Sequence, residues 1–174
     1  MLSTPLLLFF RLLHILTGAF WFGGVAVTAR FIFPTAFALG PAGAPFMDQL
    51  GRVRKLPLNL LSAGVVAVLS GFILFRHDSV AGGGAFEGSM PGRVFGVGAL
   101  LSLIALVIGF AVNLPTVKKI NALSIAIQGQ GTPASAEQQA QMKALQSRLL
   151  TAIRVVAVLL LLATAAMAIA RYVV

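Results

Sequence analysis

Four long apolar segments occupy most of this chain and constrain its fold more than any other feature. They cover residues 6–33, 58–75, 94–114 and 149–170. Each is close to or above the ~18–20 apolar residues that an α-helix needs to cross a hydrocarbon core of ~30 Å. The sequence therefore predicts an all-α protein, a four-helix transmembrane bundle that forms a single integral membrane domain over residues 1–174.

The composition supports this class and excludes several functions. Hydrophobic residues make up 59% of the chain and charged residues 10%, which leaves too little polar surface for a soluble domain. The net charge of +9 would suggest nucleic acid in a soluble protein, but the basic residues fall mostly at the ends of apolar segments, where they anchor spans. We therefore expect membrane lipids as partners and no nucleic acid. The absence of cysteine excludes disulfides, thiolate metal sites and covalently attached c-type haem.

The charges of the loops predict an orientation. Loops 34–57 and 116–148 carry one acidic residue each but most of the basic loop residues, namely Arg52, Arg54, Lys55, Lys118, Lys119, Lys143 and Arg148. By the positive-inside rule, both loops are cytoplasmic. We expect a multi-pass protein of the bacterial cytoplasmic (inner) membrane with both termini on the periplasmic side.

The loop between the third and fourth segments is expected to be helical. Ser135 and Gln138 have the spacing of a capping box, so the fourth helix is predicted to begin near Ser135 and to run unbroken into the membrane. Apolar residues at helical spacing before and after residues 129–131 predict a cytoplasmic helical hairpin over about 116–148. The loop 34–57, rich in glycine and proline, is predicted to be irregular, with a short amphipathic turn near 46–50.

A weak internal repeat relates the two halves of the chain. Phe33-Pro34-Thr35 ends the first apolar segment, and Leu114-Pro115-Thr116 ends the third. Two helical hairpins inserted in the same direction would form a parallel repeat about an axis along the membrane normal. Convergence of simple apolar sequence is the alternative interpretation.

One stripe of the first segment contains the residues most suited to bind a cofactor. Arg11, His14, Gly18 and Trp21 recur at helical spacing, with His14 about 12 Å inside the span. A neutral imidazole beside open space at Gly18 would ligate haem b iron or the magnesium of a chlorophyll-type pigment. The alternative is structural: His14 hydrogen-bonds across the bundle to a Ser, a Thr or a backbone carbonyl, and Gly18 permits close helix packing.

Four further polar residues are candidates at the span ends. His77, at the outer end of the second segment, would complete a bis-histidine haem only if its helix shifted inward, and a solvated interfacial histidine is the alternative. Arg30, Asn113 and Arg154 lie at similar depth near the cytoplasmic ends, where they would form a polar network or bind a lipid head group. Snorkelling arginines and an interhelical hydrogen bond from Asn113 are the alternatives.

The motif at residues 11–24, RLLHILTGAFWFGG, resembles the first span of a loose group of small bacterial membrane proteins, and the whole chain, with its ending Arg171-Tyr172, resembles uncharacterised bacterial membrane proteins of four spans. The group includes copper-resistance-D-like proteins and the HemJ-type protoporphyrinogen oxidase. His14, Trp21, Phe22 and Gly23 match its pattern, and the resemblance implies that His14 is a haem ligand. The chain lacks the further intramembrane histidine and lysine that the oxidase activity would require, so the resemblance does not lead us to expect that activity here.

The sequence favours a protein without catalysis of its own. The four acidic residues, Asp48, Asp78, Glu87 and Glu137, lie in loops or at their edges, which argues against an ion-coupled transporter. No catalytic residue or metal site is predicted. Our leading hypothesis is an accessory or scaffolding subunit that packs against other membrane proteins or against itself. The alternative is a haem- or pigment-binding protein that uses His14, in electron transfer for example, and a third hypothesis is lipid or quinone binding between helices.

Overall fold

The computed structural model describes residues 2–173, which are helical over most of their length. Residues 1 and 174 of the predicted domain lie outside this range. The α-helices are α1 (Thr4–Val27), α2 (Phe33–Ala38), α3 (Ala44–Asp48), α4 (Leu56–Ala81), α5 (Ala85–Gly88), α6 (Met90–Ile108), α7 (Leu114–Gly129) and α8 (Ala136–Ile169). Three π turns (Thr28–Ile32, Gln49–Val53 and Gly109–Asn113) and two 3₁₀ turns (Gly40–Gly43 and Ala170–Tyr172) connect or end them.

Within the described range, four continuous helical segments are long and apolar enough to cross a membrane. We name them spans one to four: Thr4–Ala38, Leu56–Ala81, Met90–Gly129 and Ala136–Tyr172. The predicted all-α fold with four transmembrane helices is confirmed, and the chain is a multi-pass membrane protein. The spans exceed the apolar segments of the sequence because the helices continue beyond the hydrocarbon core. Span four, with 37 residues, would extend about 55 Å at 1.5 Å per residue.

The four spans pack in a ring that follows chain order. Span one packs mainly on span two and span three mainly on span four, while smaller contacts join two to three and four to one. Each span contributes to a common core, in which Trp21, Leu60, Ala105 and Ile153 are among the buried residues. Spans one and two form one helical hairpin and spans three and four another; the internal repeat that would relate them stays a prediction.

The two halves also share an unusual backbone feature. The π turn Thr28–Ile32 is followed by Phe33 and Pro34, and the π turn Gly109–Asn113 is followed by Leu114 and Pro115. Proline lacks an N–H group, and its ring clashes with the carbonyl four residues earlier, so a regular helix cannot continue through it without distortion. A wider turn just before each proline relieves that conflict while the span remains helical.

The two ends of the bundle differ: a short helix packs at one end and a helical hairpin forms the other. At one end, α5 folds against the end of span two, where the Ser79 hydroxyl donates to the Glu87 carboxylate and the ring of Phe86 contacts both Phe75 and Phe95. At the other end, α7 and α8 pack as the predicted hairpin. The capping box is confirmed, since the backbone N–H of Gln138 donates to Ser135 Oγ at 3.2 Å and the backbone N–H of Ser135 donates to Gln138 Oε1 at 2.9 Å. Helix α8 continues unbroken to Ile169.

The segment that joins spans one and two is more regular than predicted. The expected amphipathic turn is present as α3 and the following π turn, but the surrounding stretch is helical rather than irregular. Pro41, Pro45 and Pro57 each lie in the first two positions of a helical segment. Proline is tolerated there because those N–H groups have no partner within the helix. A proline-rich sequence therefore starts helices here instead of breaking them.

Candidate functional site

His14 is held against span two by a hydrogen bond. Its Nδ1 lies 2.7 Å from the carbonyl oxygen of Ala67. A carbonyl oxygen can only accept, so Nδ1 carries the proton and donates it. In the neutral ring the lone pair then lies on Nε2. The hydrogen bond across the bundle to a backbone carbonyl, one of the two interpretations of His14, is confirmed; its role as a cofactor ligand stays a prediction.

The imidazole of His14 packs against the next turn of α4, at Gly71. A Cβ on Gly71 would lie 2.7 Å from His14 Cε1 and 3.0 Å from its Nδ1, so the ring approaches α4 where a side chain is missing. The buried hydroxyl of Ser70 donates to the carbonyl of Val66 at 2.6 Å and is satisfied within its own helix. Gly71 is a functional candidate that sequence reasoning missed; it lies one turn beyond Ala67 on α4, and only the structure links either residue to His14.

The remaining residues of the predicted stripe have different surroundings. Trp21 is 4% exposed and packs against Gly64, so it joins spans one and two. No atom outside its own helix lies within 4 Å of the position that a Cβ on Gly18 would take, so open space adjoins span one, one turn from His14. Arg11 is partly exposed near the start of the same span.

His77 is not brought beside His14. It lies six residues beyond Gly71 in α4, about 9 Å farther along the helix axis, and α4 continues past it to Ala81. Its side chain is half-buried, and its Nδ1 is buried without a hydrogen-bond partner. The structure therefore offers one imidazole, not two, for a macrocycle at the level of His14.

Asn113 lines an interior cavity of about 50 Å³ between the four spans. Its walls are almost entirely apolar and include Trp21, Thr28, Leu60, Gly109 and Ile153. The two π turns contribute to these walls through Thr28, Gly109 and Asn113 itself. Asn113 Oδ1 is buried and has no hydrogen-bond partner, so the cavity contains one unsatisfied acceptor in apolar surroundings. The interhelical hydrogen bond expected of Asn113 is therefore not formed through this oxygen.

Arg30 and Arg154 line a second, more open space, which we call the arginine groove. It lies between spans one and four, has a volume of about 420 Å³, and both arginines are exposed. The other residues that line it are apolar: Phe22, Ala26, Ala29, Ala157, Val158 and Leu161. Of the three polar residues expected together, the structure brings Arg30 and Arg154 to one groove and gives Asn113 a separate cavity.

These three places differ in the chemistry they support. His14 provides one imidazole nitrogen with a free lone pair, Asn113 provides an amide, and the arginine groove provides two fixed positive charges. Within residues 2–173, His, Asp and Glu side chains do not form a cluster of three or more that would hold a metal ion.

Comparisons of the chain with protein-family models, with curated proteins and with solved structures found no match. The resemblance to the copper-resistance-D-like and HemJ-type group stays a prediction that rests on residues 11–24.

Proposed function

We propose that this chain is a non-catalytic accessory subunit of the bacterial cytoplasmic membrane, which packs against other membrane proteins through the uncovered face of span one. Over its most apolar part, span one is the least covered of the four. In its most apolar window of 18 residues, 6% of the residues are buried, against 17–33% in the other spans. The side of span one that faces away from the bundle is therefore available to a further helix.

The residues of this face suit helix packing in a membrane. Leu12, Leu16, Ala19 and Gly23 follow one another at three- or four-residue spacing, so they share one side of α1. Leu12, Leu16 and Ala19 are exposed, and a Cβ on Gly23 would meet no atom within 4 Å. Small residues four apart allow two helix backbones to approach closely, and this packing drives association where lipid removes the hydrophobic force. The uncovered pair Ala19 and Gly23 is the observation that carries the proposal.

The proposed orientation follows from the loops. The segment between spans one and two and the α7–α8 hairpin lie at the same end of the bundle, since a Cβ on Gly51 would be 3.9 Å from Asn121 Nδ2. Both carry an excess of basic residues, which favours the cytoplasmic side. Both chain termini are then periplasmic, and span one would meet its partner within the bilayer.

The test compares two glycines in equally open surroundings. An added Cβ at Gly23 on span one or at Gly96 on span three would have no neighbour within 4 Å, so a side chain at either position begins in open space. We expect G23L to reduce the amount of protein that co-purifies with the tagged chain from native membranes by several-fold, and G96L to leave it unchanged. Equal recovery with the two variants would reject span one as the interface and the proposal with it.

A second candidate function is the binding of haem b or a chlorophyll-type pigment at His14. The hydrogen bond from Nδ1 to Ala67 supports it, because histidines that bind metals commonly donate the other ring N–H to a carbonyl or carboxylate. For such a site the structure offers one imidazole and open space beside Gly18, and it does not bring His77 to the same level for a bis-histidine site. A bound haem would supply one-electron transfer; the chain's part is to hold His14 in one tautomer and orientation.

Visible absorption of the purified protein separates the two functions. If the pigment-binding function is correct, the wild-type protein absorbs strongly in the visible, H14A loses that absorption, and H77A retains it. A wild-type protein without a visible band would exclude the pigment and leave the accessory function standing. The amount of protein that co-purifies with the G23L and G96L variants tests the accessory-subunit proposal independently.

A further inference from the structure

The arginine groove combines two positive charges with an apolar channel, and this combination points to a lipid. We propose that it binds one anionic phospholipid, with the phosphate between Arg30 and Arg154 and an acyl chain along the groove. The proposal is independent of the partner and of the pigment.

The two arginines lack an acidic partner. Among the described residues, one ion pair is formed, between Arg52 and Asp48, and both are far from this groove in sequence. The residues that line the groove include no carboxylate. A guanidinium remains charged under all physiological conditions. Arg30 and Arg154 therefore present two positive charges that no carboxylate of the groove balances. Arginine also binds phosphate through paired N–H groups, which a point charge such as lysine does not provide.

The walls of the groove suit an acyl chain. Phe22 lies eight residues before Arg30 on span one, about 12 Å along the helix. Leu161 lies seven residues after Arg154 on span four, about 10 Å along the helix. Ala26, Ala29 and Ala157 line the space between, and their small side chains leave the volume of about 420 Å³ empty. A free phosphate ion would gain nothing from these walls, whereas an alkyl chain would cover them.

The depth of the arginines matches a lipid head group. Arg154 precedes Tyr172 by 18 residues, about 27 Å of helix, which is close to the ~30 Å thickness of the hydrocarbon core. With Tyr172 placed at the opposite boundary of the membrane, the guanidiniums lie near the boundary of the leaflet on the side of the α7–α8 hairpin. Zwitterionic lipids also have a phosphate, but their ammonium groups would be repelled by two guanidiniums. An anionic lipid avoids that repulsion.

Native mass spectrometry of the purified protein tests the site. The protein is titrated with phosphatidylglycerol and, separately, with phosphatidylcholine of the same acyl chains. We expect one phosphatidylglycerol to remain bound where phosphatidylcholine does not. The double variant R30Q/R154Q should bind phosphatidylglycerol about tenfold more weakly, because both phosphate contacts are lost. The matched control R93Q/R171Q removes two exposed arginines elsewhere and should bind as the wild type does.

Two further measurements separate a lipid from a simple anion. A157L fills the groove and keeps both charges, so it should also weaken phosphatidylglycerol binding if an acyl chain occupies the groove. Inorganic phosphate at millimolar concentration should not displace the lipid. Equal retention of the two lipids, unchanged binding by R30Q/R154Q, unchanged binding by A157L, or displacement by phosphate would each overturn the proposal.

Discussion

The indole ring of Trp21 lies directly against Gly64, where spans one and two are in contact. A Cβ on Gly64 would be 2.7–2.9 Å from three atoms of that ring, closer than real Cβ atoms approach their neighbours. Trp21 is 4% exposed and also lines the interior cavity, so its position couples the packing of two spans to the shape of that space.

We expect G64A to destabilise the protein by about 1–3 kcal/mol, because one added methyl group overpacks a tight contact. Thermal unfolding in detergent measures the effect. G96A is the control, since a Cβ there meets no neighbour within 4 Å and should leave the unfolding midpoint unchanged. Adding W21F to G64A should recover part of the loss. If G64A and G96A unfold alike, the close contact of Trp21 with Gly64 is not present in solution.

The contact between His14 and Gly71 predicts energetic coupling. G71A would push the imidazole away from Ala67 and break its hydrogen bond, while H14A removes that bond directly. Interhelical hydrogen bonds in membranes contribute about 0.6 kcal/mol on average and up to about 1.7. We therefore expect the double variant H14A/G71A to be no less stable than G71A alone. Strictly additive losses in a double-mutant cycle of unfolding free energies would contradict the placement of the ring.

The unpaired oxygen of Asn113 predicts an unusual response to a polar-to-apolar change. A buried acceptor without a partner costs about 1–3 kcal/mol, and replacement by an apolar side chain of similar size removes that cost. N113L should therefore leave the unfolding midpoint unchanged or raise it. The control is A111L, because Ala111 is exposed and lies two residues before Asn113. A fall of several degrees with N113L alone would mean that the oxygen has a partner, such as a water in the cavity.

The absence of cysteine makes the topology directly measurable. Single cysteines at Gln49 and Gln139 lie at the hairpin end of the bundle, and one at Gly83 lies at the opposite end. In intact cells, a membrane-impermeant thiol reagent should label the cysteine at position 83 and leave those at 49 and 139 unlabelled. All three should react after the membrane is opened. The reverse pattern would invert the orientation, and different labelling of 49 and 139 would refute the hairpin arrangement.

Much of the fold could be predicted because its main determinants are local or one-dimensional. Apolar length alone determines how many times the chain crosses a bilayer, and this predicted the four spans. The capping box of Ser135 and Gln138 is complete within four residues, so the start of α8 could also be predicted. The prolines between spans one and two were misleading because proline both ends and starts helices, and its position in the helix decides which.

The candidate site could be predicted only in part, for a geometric reason. Position along a span gives the depth of a residue, and by depth Arg30, Asn113 and Arg154 belong together. The direction of each side chain depends on how its helix is rotated about its own axis, and packing between distant segments sets that rotation. His14 meets Ala67, 53 residues away, and Arg30 joins Arg154 at a groove while Asn113 faces another cavity. Hydrophobicity along the chain thus determined the spans and their depths, whereas side-chain packing between the spans selected which residues meet.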